Sequence, residues 1–116
     1  MSDRYAAAAV RTVAGAPDDV LRRSAVVAVA LGGKVKGTDV EAGTVMMNFN
    51  KKVGARYLQN RVDVVLTFGA GASGTEVSGT AVPVDPLGRP VPFGVPGEPA
   101  REVLEAVLDA LGSSGP

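Results

Sequence analysis

The spacing of apolar residues changes twice along this chain of 116 residues, and the change constrains the fold more than any other feature. Helix signals occupy about 17–31 and 99–111. Between these segments apolar and polar residues alternate, which is typical of strands with one buried face. The strand connections are short and favour antiparallel pairing, because a parallel pair needs a crossover of about a dozen residues or more. The sequence therefore predicts an α+β fold.

The helix at 99–111 has the clearest pattern. Its apolar residues recur at i, i+3 and i+4, and charged residues occupy the opposite face. Pro99 suits a first helical turn, and we expect Gly112 to end the helix in a left-handed conformation. The apolar stripe consists of Ala100, Val103, Leu104, Val107, Leu108 and Leu111.

The helix at 17–31 has good boundaries but an unusual surface. Pro17 lies at its start, Asp18 and Asp19 complement the positive end of the helix dipole, and Gly32 follows its end. After Ser24 the residues are apolar on nearly every side. Such a helix is buried on all sides or is covered by a partner. Its valines would also permit a strand.

Four segments alternate like strands, at about 34–40, 44–49, 61–68 and 76–81. Residues 5–13 are ambiguous, because four alanines favour a helix and the later valines and threonine favour a strand. We expect an edge strand there. The predicted architecture is an antiparallel sheet of four to five strands with both helices packed on one face.

The chain is expected to form one α+β domain over residues 1–112, followed by a disordered tail at 113–116. Apolar residues make up 46% of the sequence, enough for a core without disulfides. Six of the eight prolines lie within 83–99. This segment is too rich in proline and glycine for a central strand or a helix, so an extended surface connection is expected.

The composition argues against several functional classes. The chain has no histidine and no cysteine, which removes the usual general base, thiolate metal ligands and the partner of a nucleophilic serine. We therefore expect no enzyme activity, no metal and no cofactor. Twelve basic residues balance twelve acidic ones, which gives no general attraction to nucleic acid or to a membrane surface. No signal peptide is recognisable, and a cytoplasmic location is expected.

Residues 69–74 match the pattern G-x-G-x-x-G and follow an apolar strand. In a dinucleotide site such glycines let the backbone approach a pyrophosphate at the start of the next helix. The residues after Gly74 alternate like a strand instead. The pattern is therefore interpreted as a glycine-rich hairpin loop.

Two groups of charged residues are candidate sites. Asp63 and Glu76 lie on adjoining predicted strands and could form a carboxylate pair, although exposed strand faces carry such acids routinely. The only local basic excess surrounds one tyrosine and could contact an anion or a nucleic acid, although solvated loop lysines are the simpler interpretation. It consists of Lys51, Lys52, Arg56 and Arg61, with Tyr57 among them.

The order strand, long helix, Gly-Gly, four-stranded meander and terminal helix resembles a group of small uncharacterised bacterial domains and an abbreviated helix-grip fold. The resemblance rests on residues 25–35, which read AVVAVALGGKV, and on the paired strands 44–49 and 61–68. It contains no functional motif. Helix-grip proteins hold lipophilic ligands between sheet and helix, so the resemblance implies that the chain binds such a ligand.

Two functions follow from these patterns. The first is a non-catalytic interaction or structural domain that self-associates, as a homodimer or another homo-oligomer, through the apolar helix 17–31 and a sheet face carrying Val65 and Val82. The alternative is a domain that binds a small lipophilic ligand in an apolar pocket between the sheet and the carboxyl-terminal helix. That pocket would be lined by Val64, Leu66, Phe68, Leu104 and Leu108.

Overall fold

A computed structural model describes residues 7–50, 52–57, 61–84 and 98–113. The elements follow the order β1, α1, β2 to β7, α2. The two helices are α1 (Pro17–Ala30) and α2 (Glu98–Ser113). The strands are β1 (Ala7–Val13), β2 (Lys34–Asp39), β3 (Thr44–Phe49), β4 (Lys52–Val53), β5 (Arg56–Tyr57), β6 (Arg61–Gly71) and β7 (Gly74–Val84).

Five strands form one antiparallel sheet in the order β1-β7-β6-β3-β2. This confirms the predicted α+β class and the antiparallel pairing. The ambiguous segment near the amino terminus is an edge strand, because β1 pairs with β7 over seven residues from Ala7 opposite Ala81 to Val13 opposite Thr75. The other edge is β2, which contains a bulge between Val35 and Gly37.

Both helices contact the same face of the sheet. Alternate residues of the central strands point toward the helices and are buried, as the period-2 pattern predicts. α2 lies against β1 and β7, α1 contacts β2, β3 and β6, and the helices also touch each other. Their buried side chains join those of the sheet in one hydrophobic cluster. The opposite side of the sheet, called the open face below, carries Met46, Asp63, Val65 and Val82.

α1 begins and ends where the sequence indicates. Pro17 lies in its first turn, and Gly32 adopts a φ of 89° immediately after the carboxyl-terminal cap residue Leu31. The amide of Gly33 donates to the carbonyl of Ala28 at 2.8 Å, and the amide of Gly32 donates to the carbonyl of Val29 at 3.0 Å. These two bonds form a Schellman motif, which requires the left-handed conformation that glycine adopts readily.

The carboxyl-terminal end of α2 differs from the one expected from the sequence. Gly112 was predicted to end the helix, but the helix continues through it to Ser113. Gly112 is not among the glycines with positive φ. A glycine near a helix terminus favours a stop but does not impose one.

The glycine-rich segment 69–74 is mostly strand rather than loop. β6 continues through Gly71, β7 begins at Gly74, and only Ala72 and Ser73 form the turn between them. Gly74 has a φ of 149°, and a Cβ atom there would lie 2.5 Å from the carbonyl oxygen of Val13. The close approach of β1 to the hairpin therefore explains why the last position of the pattern is a glycine.

The small hairpin of β4 and β5 was not predicted. Two-residue strands are too short to show an alternating pattern in the sequence. Most of the expected proline-rich connection, the start of the ambiguous segment 5–13 and the end of the expected tail lie outside the described residues.

Candidate functional site

The outer face of α1 is the largest exposed apolar feature of the described helices. Val26 and Val29 are 70% and 66% exposed, and they lie beside Ala25 and Ala30. These four residues line an open apolar depression of about 460 Å³. We call them the α1 patch.

The α1 patch exists because α1 has more apolar residues than its contact with the sheet can bury. Its inner side contributes Val20, Leu21, Val27 and Ala28 to the core, together with the buried Ser24, whose hydroxyl donates to the carbonyl of Leu21 at 2.6 Å. The remaining aliphatic residues fall on the outer side. The first turns of α1 differ, since their outer side carries charged Asp18, Asp19 and Arg22.

The open face of the sheet is less apolar than expected. Val65 and Val82 are only partly exposed, whereas Met46 is 47% exposed and Val10 on the edge strand is 61% exposed. Thr67 and Thr80 are exposed on the same strands as the two valines. The face is therefore mixed in polarity, and the α1 patch is the more concentrated apolar surface.

The five residues predicted to line a ligand pocket lie together, but in the core. They project from β6 and α2 into the hydrophobic cluster, and each is at most 6% exposed. A Cβ atom on Gly79 of β7 would lie 2.6 Å from Leu104 Cδ1 and 2.9 Å from Leu66 Cδ2. α2 thus packs directly on the sheet at this point, and Leu66 and Leu104 occupy the space above Gly79. The five predicted lining residues are Val64, Leu66, Phe68, Leu104 and Leu108.

The sheet register separates Asp63 and Glu76, the two carboxylates of the candidate acid–base pair. Glu76 lies opposite Gly69, whereas Asp63 lies opposite Val82. Gly69 lies six positions after Asp63 in β6, which is about 20 Å along a strand. Asp63 instead accepts a hydrogen bond from Asn48 Nδ2 at 2.8 Å and pairs with Lys36 Nζ at 3.1 Å. The candidate acid–base pair is not formed.

The basic cluster is divided between two places. Lys52 Nζ lies 5.4 Å from the centre of the Tyr57 ring, a cation–π contact on the small hairpin. Arg61 begins β6 and lines a separate polar cleft. Lys51 lies outside the described residues, and so does the side chain of Arg56.

This polar cleft was missed by the sequence patterns. It has a volume of about 170 Å³ and lies where the turn after α1 meets β2, β3 and β6. Lys34 and Asn48 come together through the β2–β3 register, which no local motif reveals. The cleft is lined by Gly32, Gly33, Lys34, Asn48, Asn50 and Arg61.

Two features of the described residues bear on other kinds of site. Across 7–50, 52–57, 61–84 and 98–113, no three Asp or Glu side chains are placed to hold a metal ion. Over the same part of the chain, neither helix has the length and apolar character to span a membrane.

Comparisons with known proteins place the chain by fold alone. No family model matches the sequence, and no curated protein matches it. The structure of Ara h 8.0201 is 11% identical with a TM-score of 0.59, and the match covers 93% of this chain and 95% of that chain. Protein CV1439 from Chromobacterium violaceum is 17% identical with a TM-score of 0.55, over 95% of this chain and 96% of that chain. The chain therefore shares a helix-grip-like fold with these structures, which conveys no function by itself.

Proposed function

We propose that this protein is a non-catalytic interaction domain that self-associates through the α1 patch. The observation that carries the proposal is the exposure of Val26 and Val29, at 70% and 66%, side by side on one helix. Residues three positions apart share a helix face, so the two valines form a continuous apolar surface with Ala25 and Ala30. Contiguous apolar patches mark interaction sites when they are large, whereas single exposed apolar residues are ordinary.

A second copy of the chain is the occupant that the charge balance favours. The formal net charge is zero, so two copies do not repel each other over long range. The flanking alanines are small and would allow two α1 helices to approach closely. A pairing of one patch with the same patch on a second copy gives a closed two-fold dimer.

The size of the patch sets the expected strength of the dimer. A stable interface buries about 800 Å² on each partner, and a surface of two valines and two alanines is much smaller. We therefore expect a weak dimer with a dissociation constant on the order of 10–1000 μM, unless neighbouring residues add to the contact.

Sedimentation velocity over a wide range of protein concentration tests the proposal. The natural protein should gain mass as its concentration rises, and the double variant Val26→Glu/Val29→Glu should remain monomeric, because it buries two carboxylates in the interface. Val40→Glu is the matched control, since Val40 is 62% exposed in the β2–β3 loop and lies outside the patch. A monomer mass at every concentration, or a dimer that survives the double variant, would contradict the proposal.

The alternative function, binding of a small lipophilic ligand, is favoured by the helix-grip-like fold and by the convergence of the five core residues between β6 and α2. Their close packing argues that a ligand would have to open the core. Native mass spectrometry of gently purified protein tests this alternative, since a bound ligand adds a discrete mass. An unmodified mass, together with an unchanged melting temperature in the presence of fatty acids, would count against it.

A further inference from the structure

The polar cleft has a distinct chemical character from the α1 patch. It combines two cationic side chains, Lys34 and Arg61, with the side-chain amides of Asn48 and Asn50. The register explains this arrangement: Lys34 lies opposite Asn48, and Phe49 lies opposite Val62, so Asn50 and Arg61 follow as neighbours at the strand ends.

Arg61 carries a buried donor that lacks a partner. Its Nε atom is inaccessible to solvent and makes no hydrogen bond to any described residue. A buried N–H donor without a hydrogen-bond partner is costly. Arg23 also has a buried unpaired nitrogen, Nη1, but its Nη2 donates to the carbonyl of Ala14, and Arg23 does not line the cleft.

The charge near the cleft is positive. Asp63 is the acid closest in the sheet register, and it is already engaged by Lys36 at 3.1 Å and by Asn48 at 2.8 Å. The charges of Lys34 and Arg61 therefore remain without an acidic partner among the described ion pairs.

We propose that this cleft binds a small oxyanion, either a phosphate group or a carboxylate, with Arg61 as its main ligand. The two terminal nitrogens of a guanidinium form a fork whose N–H groups match two oxygens of such a group. Lys34 adds a second charge, and the amide of Asn50 can donate a further hydrogen bond. A volume of about 170 Å³ accommodates the anionic group and leaves the rest of its carrier in solvent.

Titration of the ¹⁵N-labelled protein tests the site, with the Nε–H resonance of Arg61 as the probe. Sodium phosphate and sodium acetate are added separately at ionic strength held constant with sodium chloride. We expect a saturable shift with half-saturation at roughly 1–10 mM for at least one anion, as suits a few charge-assisted contacts. Tighter binding of phosphate would indicate a phosphorylated ligand, and tighter binding of acetate a carboxylate.

Variants separate the site from general charge effects. Arg61→Gln should weaken binding about tenfold or more, followed through backbone amides of the cleft, and Lys34→Gln should weaken it less. Arg101→Gln is the matched control, because it removes the same charge from an exposed position on α2. The proposal is overturned if neither anion saturates, or if a well-folded Arg61→Gln variant binds as the natural protein does.

Discussion

The two helices pack on the same sheet but use their apolar residues differently. In α2 all six residues of the apolar stripe are buried, with none more than 1% exposed. Its opposite face carries exposed Arg101, Glu105 and Asp109. In α1 the inner side is also buried, with Leu21 at 6% and Val27 at 5% exposed, yet Val26 and Val29 on the outer side are mostly exposed.

This difference distinguishes apolar residues that the core of the monomer requires from apolar residues that it does not require. The apolar residues of α2 recur with the helical period of a single buried face, so packing in the core explains why each of them is apolar. The apolar residues of α1 exceed what one buried face requires. Two valines exposed to water do not stabilise the monomer by burial, and this surplus is what suggests a partner surface.

Truncation of a residue in the α2 stripe and of one in the α1 patch should give the largest difference in the free energy of unfolding. Leu104→Ala or Leu108→Ala should lower the free energy of unfolding by about 2–5 kcal/mol, because each leaves a cavity in the core. Val26→Ala should change it by less than about 0.5 kcal/mol in dilute protein, because the side chain is exposed. Urea denaturation measures both. The comparison of the helices fails if Val26→Ala is as costly as Leu104→Ala in a monomeric sample.

Two glycines in the hairpin of β6 and β7 test how tightly α2 packs on the sheet. Gly79→Ala should cost about 1–3 kcal/mol, because its Cβ would overlap Leu104 of α2 and Leu66 of β6. Gly69→Ala is the control on β6, where a Cβ would meet nothing within 4 Å, and should change stability by less than about 0.5 kcal/mol. Thermal unfolding compares the two. Equal melting temperatures would reveal unfilled space beneath α2, as a ligand pocket requires.

Alanine substitution of the glycines near the two helix ends should affect stability differently. Gly32→Ala should destabilise the protein by about 1 kcal/mol, because φ is 89° at this position. Gly112→Ala should be neutral or stabilising by up to about 0.5 kcal/mol, because Gly112 lies within α2 and has room for a Cβ atom. Destabilisation by Gly112→Ala would indicate that α2 ends at Gly112, as the sequence suggested.

Much of the fold could be predicted because its signals are local. Alternation of apolar residues marked β3 and β6, and Pro17 and Gly32 marked the ends of α1. The polar cleft could not be predicted in the same way. Asn48, Asn50 and Arg61 come together through strand pairing, and their separate positions in the sequence form no motif.

The period of the apolar residues determined the α+β class and the interpretation of residues 69–74 as a hairpin, and the short connections determined the antiparallel pairing. Only the tertiary structure decided which side of α1 stays exposed, and which polar side chains gather at the cleft. It also showed that Asp63 and Glu76 lie far apart. The physical reason is that period reports a residue's immediate neighbours, whereas sheet register and helix docking depend on contacts between distant parts of the chain.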